Sequence, residues 1–191
     1  MYNFILKNRI KKLIKKEKRG KTFLNLKDIQ TILILFDTVN YEEVDTFIEQ
    51  LKQMGKSITC YAYKNKKDEY DYSETPYKII TQKEASDLFE NKLEDVAEDL
   101  KKNHYDALFD LTIRKNTTLQ FLLVNANATL KVGYKKGNLR LYDLTIKTLD
   151  TNKEQENSKI RELGKQIIHY LTTIQSSNDD ERKEEINILF D

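Results

Sequence analysis

Residues 31–37 read Thr-Ile-Leu-Ile-Leu-Phe-Asp, and the architecture of the whole domain follows from this segment. Every residue between Thr31 and Asp37 is apolar, without the alternation expected of a strand that has one face in water. Such an unbroken run is typical of a central strand in a parallel sheet, which helices cover on both faces. The segment therefore predicts the middle strand of an α/β domain.

The residues after this strand predict a helix and then a second strand. Asn40 and Glu43 have the spacing of a capping box, and an apolar stripe with helical spacing follows them. Gly55 would end that helix, and residues 57–63 predict the next strand. Residues 31–63 thus form a βαβ unit, in which the two strands are parallel.

The rest of the chain continues this alternation. Residues 64–76 are polar and hold the only proline, which predicts a surface loop. Thr81 and Glu84 have the spacing of a second capping box. Strands are predicted at 77–80, 105–112, 129–133 and 139–146, and helices after Thr81, at 117–126 and around 160–174. We predict one Rossmann-like, three-layer α/β domain with a mainly parallel sheet in the order 3-2-1-4-5, a basic N-terminal helix and a C-terminal packing helix.

Charge is distributed unevenly along the chain, which has 191 residues and a net charge of +2. Residues 1–21 hold nine Lys or Arg against the single Glu17, whereas the remaining residues carry a net charge of −6. Such asymmetry is typical of a segment that meets a polyanion. We divide the chain into a basic helix at 1–21, an α/β body at 22–175 and an acidic tail at 176–191.

The first segment has the pattern of a basic amphipathic helix. One side would be apolar, with Tyr2, Leu6, Ile10, Leu13 and Ile14. The other side would hold the candidate polyanion-binding residues Lys7, Arg9, Lys11, Lys12, Lys15, Lys16, Lys18 and Arg19. Two interpretations stay open: the apolar side packs on the domain while the lysines only meet solvent, or the lysines dock on a polyanion.

Several kinds of functional site are missing from the sequence. The five glycines lie at positions 20, 55, 133, 137 and 164, so neither a G-x-G-x-x-G nor a G-x-x-x-x-G-K-[ST] phosphate-binding loop occurs. Cys60, His104 and His169 lack the spacing of zinc ligands, and Cys60 is predicted to be a small core residue. We therefore predict no cofactor, no metal site and no catalytic residues.

The location of the protein is predicted from two further absences. The longest apolar run, Ile32–Phe36, is far shorter than the roughly 20 residues of a membrane-spanning helix. The basic N-terminus has no apolar segment of the kind found in signal peptides, and a single cysteine forms no internal disulfide. These features predict a cytoplasmic protein without a transmembrane segment.

A candidate ligand pocket follows from the predicted topology alone. In a sheet of this order, ligands bind beyond the carboxyl ends of the strands where the order reverses, here between the strands at 31–36 and 105–110. Five polar side chains would converge there: Asp37, Thr38, Asp110, Thr112 and Arg114. A helix start at residues 116–118 would add backbone N–H groups that favour an anion. The competing interpretation is that these residues only cap strands and helices.

Two resemblances accompany this pattern. Residues 105–137 (YDALFDLTIRKNTTLQFLLVNANATLKVGYKKG) resemble the N-terminal domain of heptosyltransferase-type glycosyltransferases, in which a strand ending in Asp leads to a helix and to a strand closing on a motif like Lys131-Val132-Gly133-Tyr134. The basic leader, the strand ending in Asp37 and the segment Tyr142-Asp143-Leu144 are similar to an uncharacterised family of short bacterial cytoplasmic proteins.

The first resemblance implies a Rossmann-like fold and puts Asp37 in the place of an acceptor-activating carboxylate. Those enzymes have a Gly-Asp loop after the first strand, whereas this chain has Asp37-Thr38-Val39-Asn40 with no glycine. They also hold the nucleotide sugar in a second domain. We therefore expect no glycosyl transfer by this chain alone.

Three functional hypotheses remain. The leading one is a non-enzymatic binding or accessory protein whose basic helix docks on RNA, with the ribosome as a candidate, while the α/β body is a platform for a protein or small-ligand partner. The second is association of the same helix with an anionic membrane surface. The third is a degenerate glycosyltransferase-like half that binds a sugar or phosphate at the predicted pocket.

Overall fold

The computed structural model of the chain describes residues 2–16, 20–86, 92–134, 139–147 and 156–175. Lys18, Arg19 and the predicted acidic tail at 176–191 lie outside these ranges, as does the side chain of Tyr2. The helices are α1 Tyr2–Lys16, α2 Tyr41–Gln53, α3 Gln82–Ser86, α4 Lys92–Lys102, α5 Thr117–Asn125 and α6 Glu156–Thr173. The strands are β1 Thr31–Asp37, β2 Ser57–Lys64, β3 Lys78–Thr81, β4 His104–Asp110, β5 Asn127–Tyr134 and β6 Leu144–Ile146.

The strands of the described ranges form a single sheet in the order β3-β2-β1-β4-β5-β6. Each neighbouring pair is parallel, and β1 is paired with β2 on one side and with β4 on the other. The predicted α/β fold is therefore confirmed, with an all-parallel sheet and with β1 in its middle. The order reverses between β1 and β4, as the sequence predicts.

The core lies in two layers, one on each face of the sheet. Ile32, Ile34 and Phe36 of β1 pack with α2 and α6, and Leu33 and Leu35 pack with α1, α4 and α5. All five side chains are fully buried, because successive residues of a strand point to opposite faces. Helices therefore cover both faces, which makes the domain a three-layer structure.

Helix α1 forms part of the second layer. Leu6 and Ile10 are 2% and 5% exposed, and Leu13 and Ile14 pack partly buried against the same cluster. The main neighbour of α1 is α5, which contributes Phe121 to that cluster. The apolar stripe predicted from the sequence thus packs on the domain. Across the described residues, no helix combines the length and the apolar character needed to cross a membrane.

The two predicted capping boxes have different outcomes. At the start of α3, Glu84 accepts hydrogen bonds from the Thr81 backbone N–H and hydroxyl, and Thr81 accepts one from the Glu84 N–H, so this box is confirmed. The box at Asn40 and Glu43 is wrong, since the Asn40 side chain makes no capping hydrogen bond to α2. Its amide instead donates to Asn157 Oδ1 of α6 at 3.0 Å. The Asn40 Oδ1, which would accept the capping hydrogen bond, is buried without a partner.

The last predicted strand is shorter than expected. Residues Leu139–Leu141 form a short 3-10 helix, and β6 spans only Leu144–Ile146. Between them, Asp143 uses its backbone N–H and its carboxylate to bind the backbone of Lys131, at 2.8 Å and 2.6 Å. This attachment to β5 turns the chain so that β6 can pair beside it.

Asp106 joins the beginning of β4 to the beginning of β1. Its Oδ2 accepts hydrogen bonds from the backbone N–H groups of Gln30 and Thr31, both at 2.8 Å, and from the Thr31 hydroxyl at 3.0 Å. Burial alone would raise the pKa of Asp106, but these hydrogen bonds favour the charged form, and the pKa is lowered. The ionised carboxylate therefore stabilises the folded state.

The lowered pKa of Asp106 leads to a prediction about acid unfolding. The stabilisation is present above about pH 4, where an unfolded aspartate is ionised, and is lost as the pH falls through the folded-state pKa. We expect Asp106→Asn to lower the free energy of unfolding by about 1 kcal/mol at neutral pH, and by less in acid. Urea unfolding of both proteins at pH 7, 4 and 3 measures this difference; a difference that widens in acid would contradict the prediction.

Candidate functional site

The carboxyl ends of β1 and β4 carry the polar side chains that were predicted to form a pocket. Asp110 is 2% exposed and already has its acceptor positions occupied. Its Oδ1 accepts from the Thr112 N–H at 3.0 Å and from the Thr112 hydroxyl at 2.5 Å, and its Oδ2 accepts from the Tyr142 hydroxyl at 2.5 Å. Burial, reinforced by this carboxylate, raises the pKa of Tyr142. Asp110 and Thr112 thus hold the β4 end to the segment before β6.

The other predicted pocket residues lie around this buried network. Asp37 is half-buried and accepts a hydrogen bond at 2.7 Å from Asn116, whose own side-chain oxygen caps α5 by accepting from the Leu119 N–H. The predicted helix start therefore carries a side-chain cap. Arg114 is exposed on the loop between β4 and α5. A sugar or phosphate site at these residues stays a prediction.

Thr38 leads to a cavity that the sequence did not indicate. The cavity has a volume of about 570 Å³, which is within the range of small-molecule sites, and it lies at the carboxyl ends of β1 and β2. Among the five predicted pocket residues, Thr38 is the one that lines it. The other walls come from the start of α2, from the loop between β2 and β3, and from Asn157 of α6.

Tyrosines from that loop form one wall of the cavity. Tyr70 and Tyr72 have ring centroids 4.8 Å apart, and they lie 6.4 Å and 5.5 Å from the ring of Tyr41 in α2. Asp68 holds the loop in place by accepting hydrogen bonds from the Thr38 hydroxyl, the Tyr70 N–H and the Tyr72 hydroxyl. The repeated tyrosines in a loop expected to be polar were the signal that sequence reasoning missed.

The outward side of α1 is the second candidate surface. Arg9 is engaged within the domain, since it pairs with Glu94 of α4 and its guanidinium lies 4.9 Å from the centroid of the Phe121 ring. We call the remaining lysines of α1 the basic face. Its members are exposed and form no hydrogen bond or ion pair with another described residue: Lys7, Lys11, Lys12, Lys15 and Lys16.

The segments that carry the two resemblances contact each other. Asp143 binds the backbone of Lys131, and the Lys131 ammonium is buried and donates to the Leu123 carbonyl oxygen at 3.0 Å. Gly133 faces the ring of Tyr142, which lies where a β-carbon would be. These motifs therefore pack β5, α5 and β6 together. Cys60 is buried in the core as predicted, and burial raises the pKa of its thiol to about 12.

No metal centre is visible within the part of the chain that the structure describes. Over those residues, no three or more His, Cys, Asp and Glu side chains come together in a group that could hold a metal ion. The polar network at Asp110, the tyrosine-lined cavity and the basic face are candidate functional features among the described residues. They belong to an α/β domain of the Rossmann-like class.

Comparison with known proteins assigns the chain to a family. It belongs to the family of unknown function DUF6913, whose sequence profile matches residues 3–174. No curated protein matches the chain significantly. Among solved structures, it is similar to the E. coli heptosyltransferase WaaC with ADP-2-deoxy-2-fluoro heptose, at 14% identity and a TM-score of 0.50 over 77% of this chain and 51% of that chain. The same enzyme with ADP matches at 13% identity and a TM-score of 0.49, over 72% of this chain and 47% of that chain.

The chain thus spans about half the length of the glycosyltransferase structures that it matches. At such identities the likeness shows the fold alone, which agrees with the Rossmann-like fold derived from the sequence. Fold by itself carries no activity, because one architecture supports many unrelated functions.

Proposed function

We propose that this chain is an accessory protein that docks on RNA through the basic face of α1. The observation that carries the proposal is the exposure of five lysines on one packed helix, none of them paired with another described residue. Free ammonium groups in a fixed array attract phosphates and release the counterions bound to them. If the outer side of α1 only had to face solvent, it would not need so many side chains of the same charge.

The packing of α1 fixes the direction of this charge. Leu6 and Ile10 are buried against α5, and Arg9 is tied to Glu94 of α4. The lysines therefore keep a constant position relative to the body, and docking orders few groups beyond the lysine side chains themselves. Residues 22–191 have a net charge of −6, so the basic face is the part of the molecule that RNA can approach favourably.

The type of basic residue indicates whether the protein would recognise the phosphates or the bases of the RNA. The chain has 27 lysines and six arginines, and the basic face consists of lysines alone. A lysine ammonium acts as a point charge on phosphate, whereas bidentate recognition of bases relies on arginine. We therefore expect weak sequence preference and a dependence on RNA shape.

A second candidate, association with an anionic membrane, is favoured by one observation. Phe4 and Ile5 are 69% and 42% exposed in the first turns of α1. Apolar side chains beside lysines are typical of helices that bind at lipid headgroups. Against this candidate, Leu6 and Ile10, which a membrane-bound helix would insert, are buried in the domain. RNA docking uses only groups that are already exposed.

The decisive experiment replaces four lysines of the basic face, Lys11, Lys12, Lys15 and Lys16, with glutamine. We expect binding to structured RNA to weaken by more than about tenfold at low salt, and the slope of log affinity against log salt to fall by about 3 to 4, since each contact contributes about 0.7 to 0.9. Fluorescence anisotropy at several salt concentrations measures both quantities.

A matched control removes the same number of charges elsewhere. Lys66, Lys67, Lys83 and Lys165 are exposed lysines outside α1, and their replacement with glutamine should leave RNA binding nearly unchanged. Equal losses in the two variants, or wild-type binding that does not respond to salt, would contradict RNA docking. Deleting residues 1–21 is unsuitable, because it would also remove Leu6 and Ile10 from the core.

The membrane candidate is separated in the same series by flotation with vesicles containing anionic lipid. If Phe4 enters lipid, Phe4→Ser should reduce flotation while leaving RNA affinity within about twofold. Flotation of the wild type, together with no binding to RNA, would replace the first proposal with the second.

A further inference from the structure

One residue that lines the cavity at the carboxyl ends of β1 and β2 has a buried carboxylate oxygen that lacks a hydrogen-bond donor. Glu43 lines the cavity with a side chain that is 9% exposed, and its Oε2 is buried without a partner. Asn40, which immediately precedes α2, does not line the cavity and is 1% exposed, and its Oδ1 is also buried without a donor. Its amide nitrogen is used, because it donates to Asn157. Both orphaned atoms are acceptors.

Burying an acceptor without a donor costs about 1–3 kcal/mol, and more for a charged group. The nearest cation, Arg161, does not remove this cost. Its Nη2 lies 3.8 Å from Glu43 Oε1, which is too far for a hydrogen bond, and it approaches the other oxygen of the carboxylate. A ligand that donates N–H groups would supply the hydrogen bond that the protein does not provide to the Glu43 carboxylate.

The charged residues around the cavity indicate whether such a ligand would be a cation or an anion. Glu42, Glu43 and Asp68 line the cavity, against Lys67 as the cationic lining residue. Burial acts to raise the pKa of Asp68, but hydrogen bonds from Thr38, Tyr70 and Tyr72 outweigh it, and the pKa is lowered. These carboxylates oppose a phosphate or a carboxylate ligand and favour a cation.

The tyrosine wall provides a surface for the same kind of ligand. Tyr70 is 62% exposed, and Tyr41 and Tyr70 both line the cavity. The faces of aromatic rings carry negative potential and attract ammonium and guanidinium groups, while the rings also cover apolar carbon atoms. The geometry points to a site for a small organic amine: we propose that its ammonium pairs with the Glu43 carboxylate while its aliphatic carbons lie against Tyr41 and Tyr70.

This site is independent of the basic face, since it lies on the side of the sheet covered by α2 and α6, whereas α1 covers the opposite side. Its test uses the full chain and three probes that share a butyl chain: butylamine, the quaternary butyltrimethylammonium and neutral 1-butanol. Chemical-shift titration by NMR gives each affinity. We expect butylamine to bind more tightly than butyltrimethylammonium by at least about tenfold, because the quaternary ion has no N–H donor, and 1-butanol not to bind measurably.

Variants locate the binding. Glu43→Gln keeps the shape of the side chain and should weaken butylamine binding by at least about tenfold, whereas Glu49→Gln, on the exposed side of α2, should leave it unchanged. Tyr70→Ala removes an exposed ring and should weaken binding without unfolding the protein. Thermal melting checks that each variant is folded.

The source of the amine is distinguished by a fourth probe, an acetylated and amidated Gly-Lys-Gly peptide. Tighter binding of butylamine than of this peptide supports a free small amine as the ligand. Tighter binding of the peptide, lost in Glu43→Gln, supports the same site for a lysine side chain of a partner. Absence of binding by any amine, equal affinities for the primary and quaternary ions, or an unchanged affinity in Glu43→Gln would overturn the proposal.

Discussion

Gly133→Ala is expected to lower the free energy of unfolding by about 2–3 kcal/mol, because the new methyl group would overlap a buried ring. A β-carbon at Gly133 would lie 2.4 Å from Cε1 and 2.9 Å from Cδ1 of Tyr142. That ring is 2% exposed, and its hydroxyl is held by Asp110. The whole ring cannot move away without breaking the bond to the carboxylate, and its burial restricts rotation about its own axis, so the crowding has no inexpensive relief.

Two other glycines serve as controls for this prediction. Gly20→Ala should be neutral, since no atom lies within 4 Å of the place that its methyl group would take and the backbone is not left-handed. Gly164→Ala, whose methyl would meet the Phe47 ring at 2.9 Å, should have an intermediate effect, because alanine also favours the helix. Urea unfolding followed by circular dichroism gives the three values. Equal stability of the Gly133 and Gly20 variants would show that the ring moves freely.

Asp110→Ala is expected to have the largest effect of all, a loss of at least about 3 kcal/mol. The substitution removes the carboxylate to which three groups donate in a buried site: the Thr112 N–H, the Thr112 hydroxyl and the Tyr142 hydroxyl. Water cannot satisfy them unless the β4 end and the Tyr142 segment separate, since all three residues are 2% exposed. The measurement is again the urea midpoint together with its slope.

Asp110→Asn is the matched control for this loss. Its Oδ1 can still accept from Thr112, and the Tyr142 hydroxyl can rotate to accept from the new amide. We expect Asp110→Asn to cost less than half as much as Asp110→Ala. Similar losses in the two variants would mean that the charge of Asp110, rather than its hydrogen bonds, stabilises the structure. Because Asp110 stabilises the fold, the predicted sugar or phosphate site is better tested with Arg114→Ala, at an exposed position. The measurement is the thermal stabilisation of the variant by the ligand.

The parts of the fold that could be predicted are those where local pattern and burial agree. The run at 31–37 indicated a strand with both faces covered. The amphipathic helix predicted after it indicated that the next strand would pair parallel to the first. The capping box at Thr81 formed although Lys92 also pairs with Glu84, because Lys92 binds Oε1 and leaves Oε2 to the Thr81 N–H and hydroxyl. The box at Asn40 did not form: the Asn40 Oδ1 accepts no hydrogen bond, and its amide nitrogen donates to Asn157 of α6, 117 residues later in the chain.

The candidate sites divide in the same way. The basic face of α1 could be read from the sequence, because helical spacing separates Leu6 and Ile10 from the lysines without reference to the rest of the chain. The tyrosine-lined cavity could not, since its residues come from α2, the β2–β3 loop and α6. Asp110 lies at the reversal of the sheet, as the topology predicts, but a pocket there stays a prediction, and the Asp110 carboxylate is used by Tyr142, which comes from the segment before β6.

The class of fold, the central strand and the charged helix all follow from the order of the amino acids, because each depends on periodicity within a short segment. Packing in three dimensions determines which polar groups are satisfied by one another and which, like Glu43 and Asn40, are left without a donor. That outcome depends on contacts between residues distant in the chain. Hydrogen bonds are satisfied within a few ångströms in space, whereas sequence patterns report only neighbours along the chain.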